Sequence, residues 1–269
     1  MKILFFGDVF GKPGRQALKM AIYKLSAEHS PDFIVVNAEN AAHGKGITAA
    51  IATELFEVGV DVITTGNHAW DQQESIELFK RNDRILRPAN YPQTDLDLVP
   101  GKGVAVVSSK NRPGVRLGVV LLMGRVFMDP LDCPFHAGRR EIQKLASLGI
   151  KNILVDFHAE ASSEKQAFTY FVEGQVSAVL GTHSHVQTAD ERILPGGTAA
   201  ITDVGMTGCF DSVIGVKKEV SIKKFISKMP SRFEPAEGPG GYGAVVVDVD
   251  EHTGKARQIL RFREEVIKW

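Results

Sequence analysis

The feature that most limits the folds open to this chain is a series of short apolar runs, rich in Ile, Val and Phe, separated by stretches with helical spacing. Residues 3–6, 33–36 and 60–64 are such runs. A strand that is apolar at every position, not at alternate ones, is buried on both faces, as happens when helices cover its sheet. Between these runs, residues 15–28 place Leu18, Ile22 and Leu25 on one helical face, and residues 49–58 read as a second helix. A βαβα order implies parallel strands, because only a connection as long as a helix returns the chain to start the next strand in the same direction.

From residue 103 the rhythm changes. Residues 103–107 and 117–123 read as successive strands, followed by a helix at 139–148. Alternation resumes with strands at 152–157, 177–180 and 199–204 and a helix at 164–171. Strands at 242–249 and 258–262 close the chain around a charged, Gly-bearing turn at 248–255, while the Pro- and Gly-rich segment 230–241 reads as a loop. No internal repeat, low-complexity tract or linker interrupts the pattern, so the expectation is one α/β domain over residues 1–269, with two packed sheets flanked by helices.

Lys plus Arg equals Asp plus Glu at 32 each, so no global field favours a long nucleic-acid partner, whereas a small anionic substrate met by a local metal charge remains open. No apolar run is long enough to span a membrane, and the N-terminal run leads straight into Gly7-Asp8 without a cleavage-site pattern. With Cys133 and Cys209 as the only cysteines, too few for a disulfide framework, a cytoplasmic protein is expected.

The chemistry lies at the strand ends. Asp8 follows the first strand; Glu39 and Asn40 the second; Asn67 and His68 the third; His158 follows residues 153–157, and His183 and His185 follow residues 176–180. Ligand sites in α/β sheets lie beyond the carboxyl ends of strands, so these distant residues would converge. Singly, each has an ordinary explanation: Asp and Asn cap helices and form turns, and a lone His is commonly a satisfied core residue. Jointly, three imidazoles, two carboxylates and two carboxamides at strand ends point to metal. They exceed the needs of one tetrahedral ion and suit two ions sharing a carboxylate. His183 and His185, read as alternate residues of an extended segment, would point the same way.

Gly66-Asn67-His68 and Gly181-Thr182-His183-Ser184-His185 resemble motifs of the calcineurin-like metallophosphoesterases. Gly7-Asp8-Val9, Asn37-Ala38-Glu39-Asn40, Thr65-Gly66-Asn67-His68, Asp156-Phe157-His158-Ala159-Glu160 and residues 203–208 look like the bacterial YmdB-like branch, over essentially the whole chain. Two departures separate that branch from the wider superfamily: Asp8-Val9-Phe10 stands where Asp-x-His is usual, and Asn37-Ala38-Glu39-Asn40 where Gly-Asp-x-x-Asp is usual. The resemblance implies an α/β/β/α sandwich and a dinuclear phosphodiesterase in which hydroxide, made available by the metals, attacks phosphorus. One metal would be held by Asp8, Glu39, Asn40 and His185 and the other by Glu39, Asn67, His158 and His183, with Glu39 bridging and His68 protonating the leaving alkoxide.

It also points to iron, with manganese next, to 2',3'-cyclic nucleotides and then 3',5'-cyclic forms as substrates, and it is compatible with a homo-oligomer. A phosphomonoesterase, or a regulatory nucleotide- or partner-binding protein with incidental turnover, are the rival functions. Among other residues, His43 and Lys45 flank a Gly-bearing turn that could touch substrate, and residues 203–208 make either an anion-binding loop or a plain tight turn. The Pro-bearing segment 128–135 is either a cover for the cleft or a surface connection, and Trp70 is expected to pack against a helix, not to stack on a base.

Overall fold

Alternate residues of the first strand go to different cores. In β1 (Lys2–Phe6), Ile3 and Phe5 join one apolar cluster while Leu4 and Phe6 join another. β2 (Phe33–Asn37) repeats this, with Phe33 and Val35 on one side and Ile34 and Val36 on the other. That two-sided burial is the physical content of the unbroken apolar runs. The computed structural model describes residues 1–92 and 99–266.

α1 (Gly11–His29), α2 (Ala49–Glu57), β3 (Val62–Thr64), α3 (Ser75–Arg81) and β4 (Ile85–Leu86) complete the first half, and β1 to β4 lie parallel in that order. Thr48 starts α2 by accepting the Ile51 N–H at 3.3 Å. The second half contributes β5 (Val104–Ser108), β6 (Arg116–Met123), α4 (Pro134–Ser147), β7 (Ile153–His158), α5 (Ser162–Phe171), β8 (Ala178–Thr182), β9 (Arg192–Ile193) and β10 (Ala199–Ile201). These strands form a second sheet in the order β5-β6-β7-β8-β10-β9.

The chain then returns through β11 (Gly208–Cys209) and α6 (Lys218–Ser227) to β12 (Gly240–Val249), which pairs antiparallel with β1 and with β13 (Ala256–Glu265). Both sheets are therefore mixed. Residues of both line one shared apolar layer, while the helices of each half cover the outer faces, giving the expected α/β/β/α sandwich. No helix among the described residues is long and apolar enough to cross a membrane.

The differences from the sequence expectation have local causes. α1 starts at Gly11, four residues before its periodic stripe suggests, because Pro13 fits a first turn whose N–H groups have no helical partner. Gly14 lets that turn lie against the sheet: a Cβ there would sit 2.2 Å from the Thr207 carbonyl oxygen. α4 likewise begins at Pro134, inside the segment read as a loop, and Phe135 packs edge-on against Phe168 and Phe171, so that part of the segment covers its own helix pair. The strand expected to run to residue 204 ends at Ile201, because the chain turns there.

That turn is held by a buried ion pair. Lys165 of α5 donates to the Asp203 carboxylate at 2.6 Å, both side chains being almost wholly enclosed. The same carboxylate accepts the N–H groups of Ser184 at 3.1 Å and Gly205 at 2.8 Å. Lys165→Met removes one partner and leaves the other charge enclosed, so urea unfolding should show a loss of about 3–5 kcal/mol.

Candidate metal centre

Four oxygen-bearing residues reach the centre from the first sheet and three imidazoles from the second. Asp8 lies beyond β1, Glu39 and Asn40 beyond β2, and Asn67 beyond β3; His158 ends β7, while His183 and His185 come after β8. Asp8, Glu39, Asn40 and His158 are buried, and Asn67, His183 and His185 are partly so. Two groups result, Glu39 with His158 and His183, and Asp8 with Glu39 and His185. Within each group the ligand atoms all lie within 4.8 Å of one another, and Glu39 belongs to both.

Hydrogen bonds made on the far side of each ring decide which nitrogen faces inward. Thr182 gives its only hydroxyl proton to Asp156 at 2.7 Å, so it accepts from His158 Nδ1 at 2.9 Å and His158 Nε2 carries the inward lone pair. That lone pair meets Asn67 Oδ1 at 3.0 Å, Glu39 Oε1 at 3.1 Å and His183 Nδ1 at 3.1 Å. His183 directs Nε2 outward to Glu160 at 3.2 Å. His185 Nδ1 donates to the Ile214 carbonyl at 2.9 Å, and its Nε2 faces Asn40 Oδ1 at 3.2 Å, an oxygen oriented by the Asn40 amide donating to Gly44 at 3.0 Å.

Acceptor therefore faces acceptor throughout, an arrangement that positive charge must hold together. Two further observations fit a cation. Asp8 Oδ1 is buried without a hydrogen-bond partner among the described residues. Gly66 leaves the approach to Glu39 and His158 open: a Cβ there would lie 2.3 Å from His158 Nε2 and 2.4 Å from Glu39 Oε2. Carboxylate, carboxamide and imidazole without thiolate suit divalent ions.

Electrostatics agree. Burial raises the pKa of Glu39, yet the charge of His158 and a hydrogen bond from it outweigh burial and hold the carboxyl at about 2. Burial lowers the pKa of His158, but Glu39 and Asp8 lift it to about 9, so without a cation a proton takes that place. Burial, reinforced by charge on His158, drops His183 to about 3.

The two imidazoles of the Gly-x-His-x-His segment converge by a different route from the one expected. β8 ends at Thr182, and His183 and His185 have φ of 101° and 64°, so they sit in a tight bend and not on one face of an extended segment. Asp8 draws in the His183 N–H at 3.1 Å and Asp203 the Ser184 N–H at 3.1 Å, holding non-glycine residues in this strained region. The bend delivers the imidazoles to different groups, each sharing Glu39. Phe10, where the wider pattern has His, packs edge-on against the His185 ring at 5.6 Å between centroids.

His68 lies beside these groups. Its N–H donates to Glu39 Oε2 at 3.1 Å, and its Nδ1 pairs with Asp71 at 2.9 Å. His68, His43 and Lys45 line one cavity with Glu39, Asn40, His183 and His185, whereas none of residues 128–135 does. Residues 203–208 make a plain turn: the N–H groups of Asp203, Val204, Gly205, Met206 and Thr207 already donate to Thr188 Oγ1, the Gly181 carbonyl, the Asp203 carboxylate, and the His185 and Asp8 carbonyls. Trp70 packs against Phe79 and Tyr91, as expected.

Asp71, Asp156, Glu160, Thr182 and Asp203 were not legible as participants, although Asp156 left a signal as a carboxylate inside the apolar run of β7. Thr182→Val keeps the shape but removes the acceptor for His158 Nδ1. It should weaken divalent-cation affinity about 10- to 100-fold in calorimetric titration, with the near-UV circular dichroism retained.

The YmdB-like protein family matches residues 4–262. The 2',3'-cyclic-nucleotide 2'-phosphodiesterase of Bacillus subtilis (strain 168) is 47% identical over 261 residues, covering 97% of this chain and 96% of its own. A crystal structure of a hypothetical protein from Thermus thermophilus superposes over 98% of this chain and 99% of its own, with a TM-score of 0.89 and 38% identity. The crystal structure of a novel phosphatase from Mycoplasma pneumoniae covers 98% of this chain and 93% of its own, with a TM-score of 0.90 and 35% identity. With a family match over almost its full length and relatives this similar, the chain belongs to the YmdB-like family.

Proposed function

We propose that this enzyme is a dinuclear metal-dependent phosphodiesterase that opens 2',3'-cyclic nucleotides, with 3',5'-cyclic forms as secondary substrates. The observation that carries the proposal is the inward turn of five side chains in two groups sharing Glu39, with the Asn40 and Asn67 side-chain oxygens facing them, beside His68. The kinship to a 2',3'-cyclic-nucleotide 2'-phosphodiesterase supports the substrate class. Asp8, Glu39, Asn40 and His185 would hold one divalent cation and Glu39, Asn67, His158 and His183 the other, iron first and manganese second. When bound, such a pair supplies Lewis acidity at the phosphoryl oxygens and acidity for the attacking water.

The chain's own groups do the rest. Water adds to phosphorus as one ring ester bond breaks, and His68 gives its proton to the departing alkoxide, leaving a phosphomonoester. Asp71 orients the His68 ring through Nδ1. The cavity continues past the ligands to an apolar wall, which favours a diester with a bulky organic substituent over a terminal phosphate. Since each sheet supplies part of the ligand set, we treat the chain as one domain. It works in the cytoplasm, where the unpaired thiols Cys133 and Cys209 are ordinary.

Metal analysis of freshly purified protein, paired with hydrolysis of a 2',3'-cyclic nucleotide before and after chelation, tests the proposal. Near two equivalents per chain, with activity lost on chelation and restored by iron or manganese, is expected; less than one, with no turnover after reconstitution, rejects it. His68→Ala should lower kcat by about 10²- to 10⁴-fold while metal content stays at the wild-type level. Equal kcat would remove His68 as the proton donor.

A further inference from the structure

The cavity above the candidate metal centre encloses about 770 Å³, within the range of roughly 300–1,000 Å³ typical of small-ligand clefts. Its lining includes the apolar side chains of Phe10, Ile214, Val216, Phe233 and Pro235, together with Ser231 and the Arg232 cation. A phosphate and two cations have no use for an apolar wall; the organic part of a substrate does.

Three observations bear on that wall. Ile214 has φ of 49°, a left-handed conformation that a β-branched residue enters only under strain. Its carbonyl accepts from His185 Nδ1 at 2.9 Å while its side chain is exposed and lines the cavity, so one strained residue both orients an imidazole and offers apolar surface to the substrate. Ser231 Oγ is enclosed yet has no hydrogen-bond partner among the described residues. Phe233 is exposed, and the Lys224 ammonium lies 4.0 Å from its ring centroid. The segment carrying Ser231 and Phe233 is fastened to the turn that carries Ile214, through Lys217 N–H to the Glu234 carbonyl at 2.9 Å and Ala236 N–H to the Gly215 carbonyl at 2.8 Å. The wall is thus joined to the metal centre through His185.

We propose that Ile214 and Phe233 form a nucleobase subsite, an inference that rests on the cyclic-nucleotide reading above. The Phe233 ring and the Ile214 side chain take the flat faces of the base. Stacking on an aromatic ring tolerates any base, so the subsite takes purines and pyrimidines alike.

The test compares two substrates on the metal-loaded full chain: adenosine 2',3'-cyclic phosphate and methyl riboside 2,3-cyclic phosphate, which lacks the base. The wild type should prefer the nucleotide by about tenfold or more in kcat/KM, chiefly through KM. Phe233→Ala should abolish that preference by raising KM for the nucleotide, and Phe233→Leu should reduce it. Because Phe233 is exposed, its truncation empties no core space. A preference that survives Phe233→Ala, a parallel fall in both substrates, or no preference in the wild type overturns the subsite and leaves the phosphodiesterase reading standing. If the wild type opens neither ring, that reading falls and takes the subsite with it.

Discussion

Asp8, Glu39, Asn40, Asn67 and three imidazoles turn their lone pairs toward one another at the seam between two sheets, and their mutual repulsion in surroundings of low polarity must be offset by positive charge. Much of the surrounding structure serves that crowding. Thr182 and Asp156 fix the His158 ring, Glu160 and Ile214 hold the outward nitrogens of His183 and His185, and Lys165 with Asp203 fixes the bend from which those two imidazoles project. Asn37 and Thr64, donating to Asp156 from the other sheet, carry the network across the seam.

The layering was legible because burial on both faces leaves an unbroken apolar signature, as in residues 33–36, and strand ends are where α/β folds collect ligands. The partners behind the ligands were not. Lys165 sits in α5 and Asp203 beyond β10; nothing in either segment announces the other, and their pairing exists only once the helix lies on the sheet. Thr182 reads only as the residue before His183 in the Gly-x-His-x-His motif until β7 and β8 pair and bring its hydroxyl to His158.

Local pattern and position in the fold part company in two places. α6 and the residue after its cap space Ile222, Phe225, Ile226 and Met229 like a buried stripe, yet all four face solvent, so periodicity alone would assign the wrong side to the core. His183 and His185 have the spacing of strand alternation, but positive φ at both residues bends the chain instead. In each case the sequence spacing is real and the surroundings give it a different meaning.

The ligand set also has a mechanical side. Its oxygen donors hang from one sheet and its nitrogen donors from the other, and between the sheets lies an apolar layer whose attraction is non-directional. On the proposed ligation, an ion gripped from both sides rivets that seam, and the sheets cannot part without releasing it. Ion binding then adds to the stability of the folded chain, and the margin against unfolding rises with the free metal concentration. In a cell starved of that metal the protein itself would grow scarce, so that the supply of the ion governs how long each copy lasts as well as how fast it works.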